Sequence, residues 1–409
     1  MMPSPPPFPL VAPFRIDQVT QAPQLMAALF WAQVALALAI HLAAVLRRPR
    51  LWWAAVAVFL GLILIFFTLA SWGNSDTTRF SHALQWDPAL APPELLWVVL
   101  RPLILVLPYR MAGLHGLIAA GYALAAVLVA RGWRAPAWAG WWALFICCSP
   151  LLRGFLQNAH SRQALASLLL LPLFLQSARL AKPPRIGLGV GVLLSAFSHN
   201  TFIWNLPISL SPWLVRLPEL AARRRDQPTA GPGRWRRWLP WLLLGGAVLA
   251  LLALVAPAAL QRFRDYSNDD YFNLYPLRPV VGRLQRAMAL GLVVACVQRR
   301  LDPRMLLRCP LTQLLLMFGL LYVGIQASIE QQWLAQITSR LADGVAFFLL
   351  ILYLAWLHRY RAHWCLIFPL WVTLQHWLDG RILRSALYAC GQNDEFLCVP
   401  DRWPWQVRY

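Results

Sequence analysis

The sequence predicts an all-α, polytopic integral membrane protein with about 12 transmembrane helices. Three observations predict it. The 409-residue chain is 59% hydrophobic and only 13% charged, whereas roughly 25% of a typical soluble protein is charged. Its mean hydropathy is +0.53. Apolar runs recur along most of its length, and the segments between them are rich in arginine. Twelve helices of about 20 residues take roughly 240 residues, leaving loops but no large soluble domain. A soluble enzyme, a secreted disulfide scaffold and a disordered chain are excluded.

The elements follow in order. Met1 to Pro13 is proline-rich and lacks the basic region that precedes the apolar core of a signal peptide. Spans are expected near 24–46, 51–72, 111–130, 135–151, 163–179, 186–199, 201–215, 238–258, 284–298, 311–327, 337–357 and 364–378. The stretch 186–217 reads as two short helices meeting at His199-Asn200, because one long span would move the arginine-rich 216–237 loop to the other side. The segment 94–110 is apolar but interrupted by Arg101-Pro102, so it reads as re-entrant or surface-lying. These elements divide into an N-terminal transmembrane half (1–215), a basic cytoplasmic linker (216–237), a C-terminal transmembrane half (238–378) and a periplasmic tail (379–409).

In this layout the loops near 47–50, 131–134, 179–185, 216–237, 299–308 and 358–361 share one side. They hold 21 of the 37 basic residues but only Glu219, Asp226 and Asp302 among the 16 acids. Positive-inside logic makes that side cytoplasmic and puts both termini outside. The formal charge of +21 is therefore read as topology and contact with anionic lipid, and no nucleic-acid partner is expected. Cys390 and Cys398 fall in the outer tail, where a disulfide suits an oxidising periplasm. No Cys/His grouping has metal-ligand spacing, and no cofactor is expected.

Ionisable residues in or at the edge of spans are costly, so each is a functional candidate. They gather on the outer side. Asp76 in the first outer loop suits proton transfer or a sugar hydroxyl. Arg153 and Arg162, with Gln163, flank a helix start, where guanidinium groups and helix-end amides suit phosphate. His199, in Ser198-His199-Asn200, interrupts an apolar stretch and suits general-base work. The loop 261–286 interleaves Arg264, Asp265, Tyr266 and Tyr271 with further arginines, a mixture suited to sugars or their phosphates. Arg340 and Asp343 share a face just inside a late helix, as an ion pair or a substrate contact.

Asp76-Thr77 with Phe80, Arg162-Gln163 opening an apolar helix, Ser198-His199, the Tyr/Asp-rich loop 265–275 and Arg340-Leu341 occur in an order that resembles the EpsG/Wzy-like family of bacterial polysaccharide polymerases. The ordered set runs through residues 70 to 355. It departs from the family pattern at Phe80, where tyrosine is usual, and at Asn200-Thr201. The resemblance implies a glycosyltransferase of the inner membrane that works on the periplasmic face. Such an enzyme transfers an undecaprenyl-pyrophosphate-linked glycan onto a new lipid-linked repeat unit of O-antigen, capsule or exopolysaccharide. Arg162, with Arg153 or Arg340, would take the pyrophosphate. His199 or Asp76 would be the base, and the 264–275 loop would hold glycan. A chain-length regulator and a flippase are the implied partners.

Two alternatives remain open. A GT-C-type glycosyltransferase with a polyprenyl-phosphate sugar donor would also use an outer acid such as Asp76. A lipid-linked oligosaccharide flippase would instead line a central path with polar groups on both sides of the bilayer.

Overall fold

A computed structural model of the chain describes residues 21–71, 95–107, 111–156, 161–199, 201–215, 278–328 and 335–378. Every element among them is helical. The α-helices are α1 (Gln21–Val45), α2 (Pro49–Ser71), α3 (Leu95–Val106), α4 (Met111–Gly132), α5 (Ala139–Cys148), α6 (Arg153–Leu156) and α7 (Ser161–Ser177). There follow α8 (Arg185–Ser198), α9 (Phe202–Val215), α10 (Arg278–Gln298), α11 (Pro303–Arg308), α12 (Pro310–Ser328), α13 (Ala335–Arg359) and α14 (Ile367–Leu378). Short 3-10 turns at Pro136–Trp138, Pro150–Leu152 and His363–Leu366 precede α5, α6 and α14. The linker 216–237, the apolar run 238–258 and the tail 379–409 lie outside the described residues.

Among the described residues four helical segments are long and apolar enough to cross a membrane: Ala27–Val45, Pro49–Ala70, Gly113–Gly132 and Arg340–Arg359. The other apolar helices, such as Pro136–Cys148 and Arg185–Ser198, are shorter. Two boundaries differ from expectation. Helix α3 runs through Arg101 and Pro102 without a break, since one proline removes a single bond, to the Val98 carbonyl. Helix α10 starts at Arg278 rather than near 284. Arg283 and Arg286 lie on its exposed side while Val281, Leu284 and Met288 are buried, so a hydropathy average over both faces hides its first turns.

By internal contacts the chain forms two compact units, one of residues 1–164, 276–300 and 357–409, the other of 165–275 and 301–356. In the first unit α2 packs between α1 and α4, and α5 packs on α1 and α4. Close approach uses glycine. A β-carbon at Gly140 would lie 2.7 Å from the Ala37 Cα, and one at Gly116 would meet Thr68 Oγ1. Small residues that let backbones approach are how apolar helices associate where burial from water gives no drive.

One end of this unit is tied together by its connections. His41 Nδ1 donates to the Ala137 carbonyl (2.8 Å) and Trp52 Nε1 to the Pro136 carbonyl (3.1 Å). The His363 ring stacks on Trp138, and the His358 ring on Trp133. Trp364 Nε1 donates to Gln298 Oε1 (2.7 Å). The α1–α2, α4–α5 and α13–α14 connections and the end of α10 therefore meet.

In the second unit α13 is the core, with Val345 to Trp356 all buried. Phe348 of α13 stacks on Phe174 of α7, whose ring also meets Phe318 of α12. A helix apolar all round belongs inside. Helix α8 rests on α7 through Gly191, where a β-carbon would lie 2.5 Å from the Leu169 carbonyl oxygen, and through Ser195, whose hydroxyl donates to Ala166 O (2.9 Å). Helix α9 carries Pro207 and Pro212. Ser211 Oγ donates to Ile208 O (2.8 Å), the carbonyl that Pro212 leaves without its usual amide.

Candidate functional site

In the first unit the start of α7 is held from below. Tyr122 of α4 donates its hydroxyl to the Ala164 carbonyl (2.8 Å), and its ring meets Phe155 of α6 edge-on. Arg162 is half-buried and Gln163 is 2% exposed, so this polar pair opens α7 largely inside protein. Arg153 begins the four-residue α6 just before it. The same unit buries Gln33, Thr68 and His115. The Gln33 amide atoms and the Thr68 hydroxyl have no hydrogen-bond partner among the described residues. Such groups are destabilising in an apolar bundle unless something else meets them.

In the second unit, α8 ends at Ser198 and α9 begins at Phe202. His199 between them is extended (φ −167°, ψ 146°) and 5% exposed. The backbone N–H of Thr201 donates to His199 Nδ1 (3.2 Å), and Thr201 Oγ1 lies 2.9 Å from the same nitrogen. An N–H cannot accept, so Nδ1 offers its lone pair and the neutral ring carries its proton on Nε2. The histidine therefore turns the chain between two helices.

A polar belt crosses the same unit. Asn205 Nδ2 of α9 donates to Ser167 Oγ of α7 (2.9 Å), and Asn205 Oδ1 faces Gly344 of α13. One residue before that glycine, half-buried Asp343 acts electrostatically on the buried Tyr322 hydroxyl of α12. Gln326 donates to that hydroxyl (3.0 Å). Arg340, also half-buried, lies one turn earlier on α13. Four helices thus contribute polar groups to the interior of this unit. Amide and hydroxyl groups of this kind can bind a hydroxylated ligand.

Of the residues singled out from sequence, Arg162 and Gln163 belong to the first unit, and His199 and Arg340 to the second. Asp76, Arg264, Asp265, Tyr266, Tyr271, Cys390 and Cys398 lie outside the described residues. Sequence reasoning passed over Ser167, Asn205 and Tyr322. The available signal was Asn205, a carboxamide inside the apolar run 201–215. Among the described residues no group of three or more His, Cys, Asp or Glu side chains is arranged to hold a metal ion. No family model, curated protein or solved structure matches the chain.

Proposed function

We propose that the protein is a polytopic polymerase of bacterial surface polysaccharide, with about twelve spans in the inner membrane and its active face periplasmic. It would move a glycan from undecaprenyl pyrophosphate onto a lipid-linked repeat unit. The observation that carries this reading is the opening of α7. Half-buried Arg162 and buried Gln163 stand at the first turn of an apolar helix, where a guanidinium and helix-end amides suit a leaving pyrophosphate. Charge stabilisation of that kind supplies several kcal/mol in other enzymes.

With Nδ1 beside Thr201, His199 would contact a phosphate or sugar oxygen, and His199 or Asp76 would be the base. Arg153, next to Arg162 in the same unit, would share the pyrophosphate, and Arg264, Asp265, Tyr266 and Tyr271 would hold glycan. No metal is needed where arginines neutralise the leaving group.

A flippase for lipid-linked oligosaccharide is the second reading, favoured by the Ser167–Asn205 and Asp343–Tyr322 groups inside the second unit. A gel of surface glycan from a deletion strain separates the readings. Unpolymerised single repeats at the surface, with a ladder restored by wild type but not by Arg162→Ala, support the polymerase. Complete repeats trapped on the cytoplasmic side support the flippase. Repeats short by one sugar support a single-transfer GT-C-type enzyme.

A further inference from the structure

Five residues other than glycine adopt positive φ among the described residues, and all five are arginine: Arg47 (52°), Arg134 (58°), Arg179 (56°), Arg300 (49°) and Arg361 (52°). Of the 37 basic residues one is lysine, so arginine makes up fewer than about one residue in ten of the chain, and composition does not explain five of five. Each ends a helix. Arg47 N–H donates to Ala44 O and Arg48 N–H to Ala43 O; Arg134 and Ala135, Arg179 and Leu180, and Arg361 and Ala362 repeat the pair of bonds. This is the Schellman stop, whose left-handed position usually falls to glycine because a β-carbon is disfavoured there. Gly132 stands two residues before Arg134 yet lies inside the helix. The backbone alone would favour glycine at all five positions, and what arginine adds there is a guanidinium.

Four of the five belong to the first unit, at the end where its connections meet. Arg47, Arg48, Arg50, Arg131, Arg134, Arg299, Arg300, Arg359 and Arg361 are all exposed there. The segments 45–50, 131–139, 298–300 and 358–367 contain no Asp or Glu. Tryptophans accompany them: Arg131 lies over the Trp53 ring at 5.0 Å, and Trp53 and Trp364 are about two-fifths exposed. Aromatic rings beside cations at the ends of apolar helices match the headgroup level of a bilayer, which a nucleic-acid face has no reason to copy.

We propose that this arginine-capped end is a docking surface for anionic phospholipid headgroups, with the left-handed arginines as its phosphate contacts. The left-handed turn lets each side chain leave the helix axis at the carbonyl end, where a cation is favoured by the helix dipole and a planar guanidinium can pair bidentately with phosphate. This rests on the membrane reading but not on the polymerase reading, which the glycan gel tests separately.

The test uses the full chain in nanodiscs of phosphatidylcholine or of phosphatidylglycerol, reading the melting temperature. It compares wild type with Arg47→Gly/Arg134→Gly/Arg300→Gly/Arg361→Gly and with the same four positions changed to lysine. Phosphatidylglycerol is expected to raise the wild-type midpoint. The glycine variant melts above wild type in phosphatidylcholine, since strain is relieved, and loses about half or more of the gain from anionic lipid; the lysine variant keeps part of it. The proposal is overturned if the glycine variant keeps the full gain, or if wild type gains nothing. It is equally overturned if inorganic phosphate or a short DNA duplex gives wild type in phosphatidylcholine the same gain. If the fourfold variant fails to fold, single Arg47→Gly and Arg361→Gly variants carry the comparison, and an unchanged gain in both overturns it.

Discussion

Asn205 turns its carboxamide oxygen onto the backbone of Gly344, so closely that a β-carbon at residue 344 would lie 2.7 Å from it. The amide end of the same side chain is committed to Ser167, so the oxygen cannot simply rotate away. Gly344→Ala is expected to destabilise the protein by about 1–3 kcal/mol through overpacking. Asn205→Ala opens the space, so the double variant should lose less than the sum of the singles. Melting in detergent measures this; strict additivity would mean that the two helices part without cost.

Arg162→Ala is expected to reduce polymer on the order of 10²-fold at normal protein level, by analogy with the loss of one charge-stabilising donor. Arg162→Lys should recover a part, because an ammonium keeps the charge but not the fork. A full-length glycan ladder from the alanine variant removes Arg162 from the site.

The backbone bond to His199 predicts a difference between its neighbours. Thr201→Val deletes the hydroxyl but keeps the N–H that orients the ring, and should cost about 1 kcal/mol of stability with polymer retained. His199→Ala should abolish polymer, while His199→Gln, which still has a side-chain donor, should restore some. Equal failure of Gln and Ala would argue that the ring does more than donate.

His363 is held neutral: burial lowers its pKa to about 4, and the neighbouring His358 adds to the shift. The folded state therefore binds fewer protons than the unfolded chain between about pH 6.5 and 4. Stability from this group is complete above pH 6.5 and is lost as pH falls through the folded value. His363→Phe keeps a ring against Trp138 without titrating, so its melting temperature should fall less over that window. Parallel curves for the two proteins would assign the acid sensitivity elsewhere.

The described helices were legible because apolar length is written directly in the chain, and the pause at His199 was legible because a polar triplet interrupts it. The helical character of Arg101-Pro102 was not, since a proline reads as a break wherever it stands although a helix survives the loss of one bond. The first turns of α10 were hidden by arginines that occupy its exposed face. Arg162 and His199 stood out as charged or titratable groups against apolar surroundings. Ser167, Asn205 and Tyr322 are single, weakly polar letters in separate runs, and their meaning comes only from helices meeting. The left-handed arginines were visible as loop charge, but their backbone state is a property of the folded helix end.

The burial of α13 has a consequence for how the second unit responds to its surroundings. A span that touches lipid adjusts its tilt to the thickness of the hydrocarbon layer. Helix α13 has little such surface from Val345 onward, so its height is dictated by Phe174, Phe318 and Asn205 rather than by acyl chains. Bilayer thickness is therefore expected to reach Arg340 and Asp343 only by way of the helices around α13, such as α12 with its exposed Leu320 and Val323.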